Sequence, residues 1–168
     1  MADRRINSVP LSKLIRDCVM EPLVCAERIP EIEIASTDIN RPGLQLAGFF
    51  DYFGNDRIQV IGKVEMTYLD QMNSQERYQA LLGLFSKNVP CVVLARGMEP
   101  HPEMLELAQR YHTPLFKTAE VTSRFSSNLI SYLNVELAPM ETRHAELIEV
   151  YGEGVLILGE SGVGKSET

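Results

Sequence analysis

Residues 155–168 read Val-Leu-Ile-Leu-Gly-Glu-Ser-Gly-Val-Gly-Lys-Ser-Glu-Thr, four apolar residues running into Gly159-x4-Gly164-Lys165-Ser166. This is the spelling of a phosphate-cradling loop, set directly after a buried-strand pattern. Its glycines let the backbone curl, so that successive N–H groups point inward as a nest for an anion. A helix beginning near Lys165 would aim its positive end at the same phosphates. Lys165 can reach the outer phosphates as a mobile point charge, and the Ser166 hydroxyl can ligate Mg²⁺. The candidate nucleotide-binding residues are therefore Gly159, Glu160, Ser161, Gly162, Val163, Gly164, Lys165 and Ser166.

A histidine joins them by strand register. Tyr151-Gly152-Glu153-Gly154 carries the Gly-X centre of a two-residue hairpin turn, between a strand over 142–150 and the loop's own strand over 154–158. With 152 and 153 at the turn centre, His144 lies opposite Ser161. Paired strands sit about 5 Å apart, so the imidazole comes alongside the loop, where it can hydrogen-bond a phosphate or carry charge near neutral pH. His144 and Lys165 are the catalytic candidates, and Ser166 is the metal candidate. Catalysis at such a loop also needs the helix behind it and acidic residues from later strands. The 168 residues end at Thr168, so we expect a piece of a larger nucleotide-using protein.

The elements ahead of the loop follow from periodicity and punctuation. Leu11, Leu14, Ile15 and Cys18 mark a helix after Pro10. Residues 22–25 and 31–35 read as short strands, and 38–43 breaks the pattern before a short helix over 44–50. Residues 57–61 form a strand, and 63–70 suits a helix. Asn73 followed by Glu76 predicts an N-cap pair, with Tyr78, Leu81, Leu82 and Phe85 as the apolar stripe of the helix it opens. The apolar run 91–95 suits a buried strand. Pro100 and Pro102 open a helix carrying Met104, Leu107, Ala108 and Tyr111 on one face, residues 114–117 form a strand, and Phe125, Leu129 and Leu133 mark a helix ending near Asn134.

Strand–helix alternation from 57 to 134 predicts an α/β fold: a small N-terminal α/β domain with a mixed, partly parallel sheet over 1–134, a linker over 135–140, and the first strands and phosphate loop of a truncated P-loop domain over 141–168. The net charge of −7 argues against non-specific nucleic-acid binding, and no apolar run is long enough to cross a membrane. Cys18, Cys25 and Cys91 have neither a pairing pattern nor a metal spacing, and read as reduced core thiols in a cytoplasmic protein. Residues 1–134 show no catalytic constellation. Arg41, Arg57 and Lys63, near Gly43, Gly48 and Gly62, can line an anion pocket or simply be solvated charge beside tight turns.

Two stretches resemble the HPr kinase/phosphorylase family, bacterial enzymes acting on a seryl hydroxyl of the phosphocarrier protein HPr. One is residues 38–53 with 57–65. The other is Arg143-His144 together with residues 150–168, where Gly-Lys-Ser continues as Glu-Thr, as it does in that family. The resemblance implies ATP or pyrophosphate as phosphoryl donor, Mg²⁺, and the reverse phosphorolysis that yields pyrophosphate. It also implies a cytoplasmic homohexamer built on the C-terminal domain, HPr as partner, and a role in carbon catabolite regulation. His144 matches the family's active-site histidine, Lys165 its loop lysine and Ser166 a Mg²⁺ ligand. One departure is that His144 is followed by Ala145, where the family usually has glycine. The family's aspartate acid/base and second metal ligand would lie beyond Thr168, so the 168 residues alone are expected to be inactive. The alternative is a non-catalytic ligand-binding or interaction module, the N-terminal domain alone. Another P-loop small-molecule kinase would need a different N-terminal half.

Overall fold

The computed structural model describes residues 7–138. The chain divides at Leu137 into two compact units, and the first holds all the secondary structure described here. Strand β1 (Val9–Pro10) leads into helix α1 (Leu11–Cys18), β2 (Glu21–Val24), a 3-10 turn (Ala26–Glu31), β3 (Glu33–Ile34), β4 (Ile39–Asn40) and α2 (Gly43–Leu46). Then come β5 (Ile58–Ile61), α3 (Lys63–Asp70), α4 (Ser74–Phe85), β6 (Val92–Leu94), α5 (Pro102–Arg110), β7 (Leu115–Lys117) and α6 (Thr122–Glu136).

The main sheet has the order β2-β7-β6-β5-β4. β4, β5, β6 and β7 pair in parallel, while β2 joins β7 antiparallel with a register shift between Pro22 and Val24. A separate two-stranded antiparallel ribbon joins β1 to β3. The sheet is thus mixed and mainly parallel, as the alternation of elements predicts.

Side chains alternate across it with the period of a strand. Ile61, Val92, Leu94 and Leu115 face a core completed by Leu46 of α2, Leu69 of α3, Leu81 and Phe85 of α4, and Leu107 of α5. Ile58, Val60, Val93 and Phe116 face the other core, closed by Leu11 and Leu14 of α1 and by Phe125, Leu129 and Leu133 of α6. Both faces are covered, which is why 91–95 is apolar without alternation.

Local signals explain several boundaries. Asn73 accepts the Glu76 amide at 2.8 Å while the Glu76 carboxylate accepts the Asn73 amide at 3.0 Å, the reciprocal capping box expected of that pair. Pro102 occupies the first turn of α5, where its missing N–H costs nothing.

Elsewhere the structure departs from the sequence expectations. Residues 38–43 do not simply break the pattern, because Ile39–Asn40 pairs with Ile58–Gln59 as the parallel edge strand. The Asn40 amide donates to the side-chain oxygens of Gln59 (2.7 Å) and Gln45 (3.0 Å), tying edge strand, neighbour and α2 together. Two residues carry no period, so nothing local announces them. The strand expected over 31–35 shrinks to Glu33–Ile34, because a 3-10 turn containing Pro30 runs through Glu31. The helix expected over 44–50 occupies Gly43–Leu46, and Gly48, at φ +100°, turns the chain away. In α4 the fully buried stripe is Leu81, Leu84 and Phe85, with Tyr78 and Leu82 half-buried. α6 runs to Glu136, whose carboxylate accepts from Lys13 at 2.8 Å.

Candidate functional site

Every residue of the phosphate-loop reading, His144 and Gly159 through Ser166, lies outside the described residues. The second candidate, Arg41, Arg57 and Lys63 with their glycines, lies within them. The structure divides that set. Arg41 follows β4 and Lys63 opens α3, so both stand at the carboxyl end of the parallel strands. Arg57 precedes β5, roughly 13 Å away at about 3.3 Å per residue of strand. There it curls over Gly54 and reaches Asp38 at 3.8 Å. Parallel pairing of β4 with β5 forces this separation, since residues preceding both strands share one end and residues following them share the other. The pocket of three cations expected from sequence proximity does not form.

What forms at the carboxyl end is a two-cation rim over a buried floor. Arg41 is held by Glu65 of α3 through two parallel bonds, Nε at 2.9 Å and Nη2 at 2.7 Å. The same carboxylate accepts the Gly62 amide at 2.9 Å, capping α3. Glu65 is buried, whereas the Arg41 side chain is 40% exposed. Lys63 is exposed beside it. Thr122, the first residue of α6, is 7% exposed and its hydroxyl meets no partner. Nothing in the sequence singled out Thr122, because its neighbours in space come from residues 41 and 62.

His101 Nδ1 and Ser126 Oγ are likewise buried without a partner. A cavity of about 690 Å³ lies between the end of α1, the β7–α6 connection and α6, lined by Asp17, Cys18, Arg124, Asn128 and Tyr132 among others. In it the Tyr132 hydroxyl donates to Asp17 at 2.7 Å. That bond holds the Asp17 carboxyl below its ordinary value, while burial, and then the bond to Asp17, pushes the Tyr132 phenol up. Burial raises Cys18 to about 11, with Asp17 adding to it, and burial likewise raises Cys25 and Cys91. All three thiols are free and stay protonated near neutral pH, so they are poor nucleophiles and metal ligands. Among the described residues no group of His, Cys, Asp and Glu is arranged to hold a metal ion, and no helix is long and apolar enough to cross a membrane.

Comparison with known proteins covers both units. Residues 9–133 match the family described as HPr Serine kinase N terminus, and residues 135–168 match the HPr Serine kinase C-terminal domain. The chain is 49% identical to the HPr kinase/phosphorylase of Caldicellulosiruptor bescii over 94% of its own length and 51% of that protein's. It is 43% identical to the one from Clostridium tetani over 95% of its length and 52% of that protein's, and 44% identical to the one from Lachnoclostridium phytofermentans over the same shares. The chain thus spans about half the length of the curated relatives it matches. Among the solved structures similar to this chain is one with a TM-score of 0.52 and 13% identity. It holds the CBS and DRTGG domains of the regulatory region of Clostridium perfringens pyrophosphatase, complexed with the activator diadenosine tetraphosphate, and the match covers 86% of this chain and 61% of that one. At that identity the likeness is one of fold alone. The two profile matches together cover nearly the whole sequence, and they establish that the chain belongs to the HPr serine kinase family.

Proposed function

We propose that the chain is part of a bifunctional protein-serine kinase/phosphorylase. In this reading it uses ATP or pyrophosphate, with Mg²⁺, to phosphorylate a serine of HPr, and reverses that step by phosphorolysis. The observation that carries the reading is Gly159-x4-Gly164-Lys165-Ser166-Glu167-Thr168, lying inside the stretch matched to the family's C-terminal domain. Bound Mg²⁺ would neutralise charge on the transferring phosphoryl group. Ser166 would ligate it, Lys165 would hold the outer phosphates, and the amides of the loop would cradle them. His144 would stand beside the loop by hairpin register. A cytoplasmic homohexamer acting in carbon catabolite regulation completes the proposal.

The test is phosphoryl transfer from ATP to HPr by the full-length protein, with phosphoserine identified by mass spectrometry, followed by release of pyrophosphate from phospho-HPr when inorganic phosphate is added. Absence of both reactions in an assembled, Mg²⁺-supplied protein would overturn the reading. A binding role for the N-terminal unit is favoured by a separate observation, the orphaned Thr122 hydroxyl at the rim of Arg41 and Lys63.

A further inference from the structure

Beyond the carboxyl end of β5 two helices begin side by side. α3 departs to the face that also carries α4 and α5. α6, arriving after β7, crosses to the opposite face and packs back against β5. The starts of the two helices thus meet beyond the carboxyl ends of the strands, where Thr122 comes against Gly62.

The meeting point is tightly drawn. A Cβ added to Gly62 would lie 2.6 Å from Thr122 Oγ1 and 2.7 Å from Arg41 Nη2. Gly62 has φ −111°, which any residue adopts, so glycine is required there for space rather than for conformation. Hydroxyl and guanidinium therefore converge on the bare backbone edge at the start of α3. The α6 end adds donors. Its N-cap, Val121, supplies no side-chain bond, and the first intrahelical bond is from the Phe125 amide to the Val121 carbonyl at 2.9 Å. The amides of Thr122, Ser123 and Arg124 thus have no intrahelical acceptor.

Two hydroxyls at this end are buried without partners, Thr122 Oγ1 and, one helical turn on, Ser126 Oγ. Buried hydroxyls nearly always find a partner, so a pair left open on one side of a helix N-terminus points to a bound acceptor. The charge fits as well. Glu65 is occupied by Arg41 and the Gly62 amide, so it cancels Arg41 and fixes its direction. Lys63 and the positive end of α6 remain.

We infer that this junction of helix starts, with Gly62, Lys63 and Thr122 at its centre and Arg41 at its rim, binds a phosphate oxyanion. Its residues are other than those of the glycine loop at 159–166, and the inference is independent of the reading given to that loop.

The experiment is ¹⁵N–¹H NMR of the full 168-residue chain at constant ionic strength, titrated with inorganic phosphate and, separately, with glycerol 3-phosphate. Comparing the two probes tells a site for the free ion from a site for a phosphoryl group carried on a small molecule. Lys165→Ala in the background keeps the glycine loop from competing for the probe. Saturable shifts at the amides of Gly62, Lys63, Thr122 and Ser123 are expected. Thr122→Val, which removes the hydroxyl at nearly constant shape, is expected to weaken binding about tenfold without lowering thermal stability when phosphate is absent. Lys63→Gln is exposed and leaves folding unaffected, so it provides a second reading if the valine variant misfolds, with a several-fold loss expected. Shifts confined to residues 159–166, non-saturating shifts spread over surface lysines, or wild-type affinity in Thr122→Val or in Lys63→Gln would each overturn the assignment.

Discussion

Arg77→Met tests how the α3–α4 junction is held. Arg77 is 15% exposed and sits on α4, yet its guanidinium spans three elements. Nε donates to the Leu69 carbonyl at 2.9 Å, which also accepts the Met72 amide at 3.2 Å, and Nη2 donates to the Met72 carbonyl at 2.7 Å, so the guanidinium ties down the chain leaving α3. Nη1 reaches Glu103 on α5 at 3.3 Å. Methionine keeps most of the aliphatic stem and removes every donor. The Leu69 and Met72 carbonyls then lose charge-assisted bonds, and Glu103 loses its counter-ion while keeping its bond from Ser74 at 2.5 Å. Breaking a well-buried pair costs about 3–5 kcal/mol, and the retained Ser74 bond together with partial solvent access moderates that toward about 2–3 kcal/mol. For a domain of this size the melting temperature falls by roughly 6–12 °C. Urea denaturation followed by far-UV dichroism measures it, with Arg77→Lys expected between wild type and Met, because lysine keeps charge but not the fork. The sign of the pH dependence follows from Glu103. The Ser74 bond first, then further hydrogen bonds and the Arg77 charge, hold its carboxyl below the ordinary glutamate value. A carboxyl lowered in the folded state contributes stability that is complete above its unfolded value and is lost as pH falls through the folded one. The penalty of Arg77→Met should therefore shrink in acid. A loss under about 0.5 kcal/mol at neutral pH, the level of an ordinary surface change, would refute the argument.

On the proposed reading, Lys165→Ala in the full-length protein should depress HPr phosphorylation and the reverse phosphorolysis by similar factors, roughly 10² to 10³, because one phosphate-facing lysine would serve a shared transition state. His144→Ala should also lower both, and paired rate measurements showing a hundredfold loss in one direction alone would contradict a single site for that residue. A polypeptide of these 168 residues by itself should transfer no phosphoryl group to HPr, since general-base help alone is worth about 10² to 10⁴ in rate; phosphoserine formed at a rate near that of the intact protein would disprove this. The Cys91 thiol, fully buried and shifted upward, should resist a thiol-specific reagent at pH 8 until the protein unfolds, and Cys18, raised to about 11, should react far more slowly than a free thiol. Mass-spectrometric counting of labels over time in native buffer checks both.

The parts of this protein legible in its sequence are those whose cause is local. Asn73 and Glu76 announce a helix start because the two groups that satisfy each other lie three residues apart. Pro102 marks the first turn of α5 for an equally local reason. The apolar run 91–95 reads as a buried strand because both of its faces are covered. The glycine loop and its lysine are likewise written within eight residues, which is why family membership was visible before any coordinates. Tertiary structure alone decided which distant residues meet. Strand β4 has no periodic signal and exists because Asn40 finds Gln59 and Gln45. Arg57 is as near in sequence to Lys63 as a ligand set requires, but a strand lies between them and parallel pairing sends it to the opposite end of the sheet. Arg41 and Thr122 are far apart along the chain and converge on Gly62 only because α6 crosses the sheet after β7. Hydrogen-bonding reach within a turn or cap is set by neighbouring residues, whereas the meeting of strand ends and helix starts is set by sheet order and by the face each connection takes.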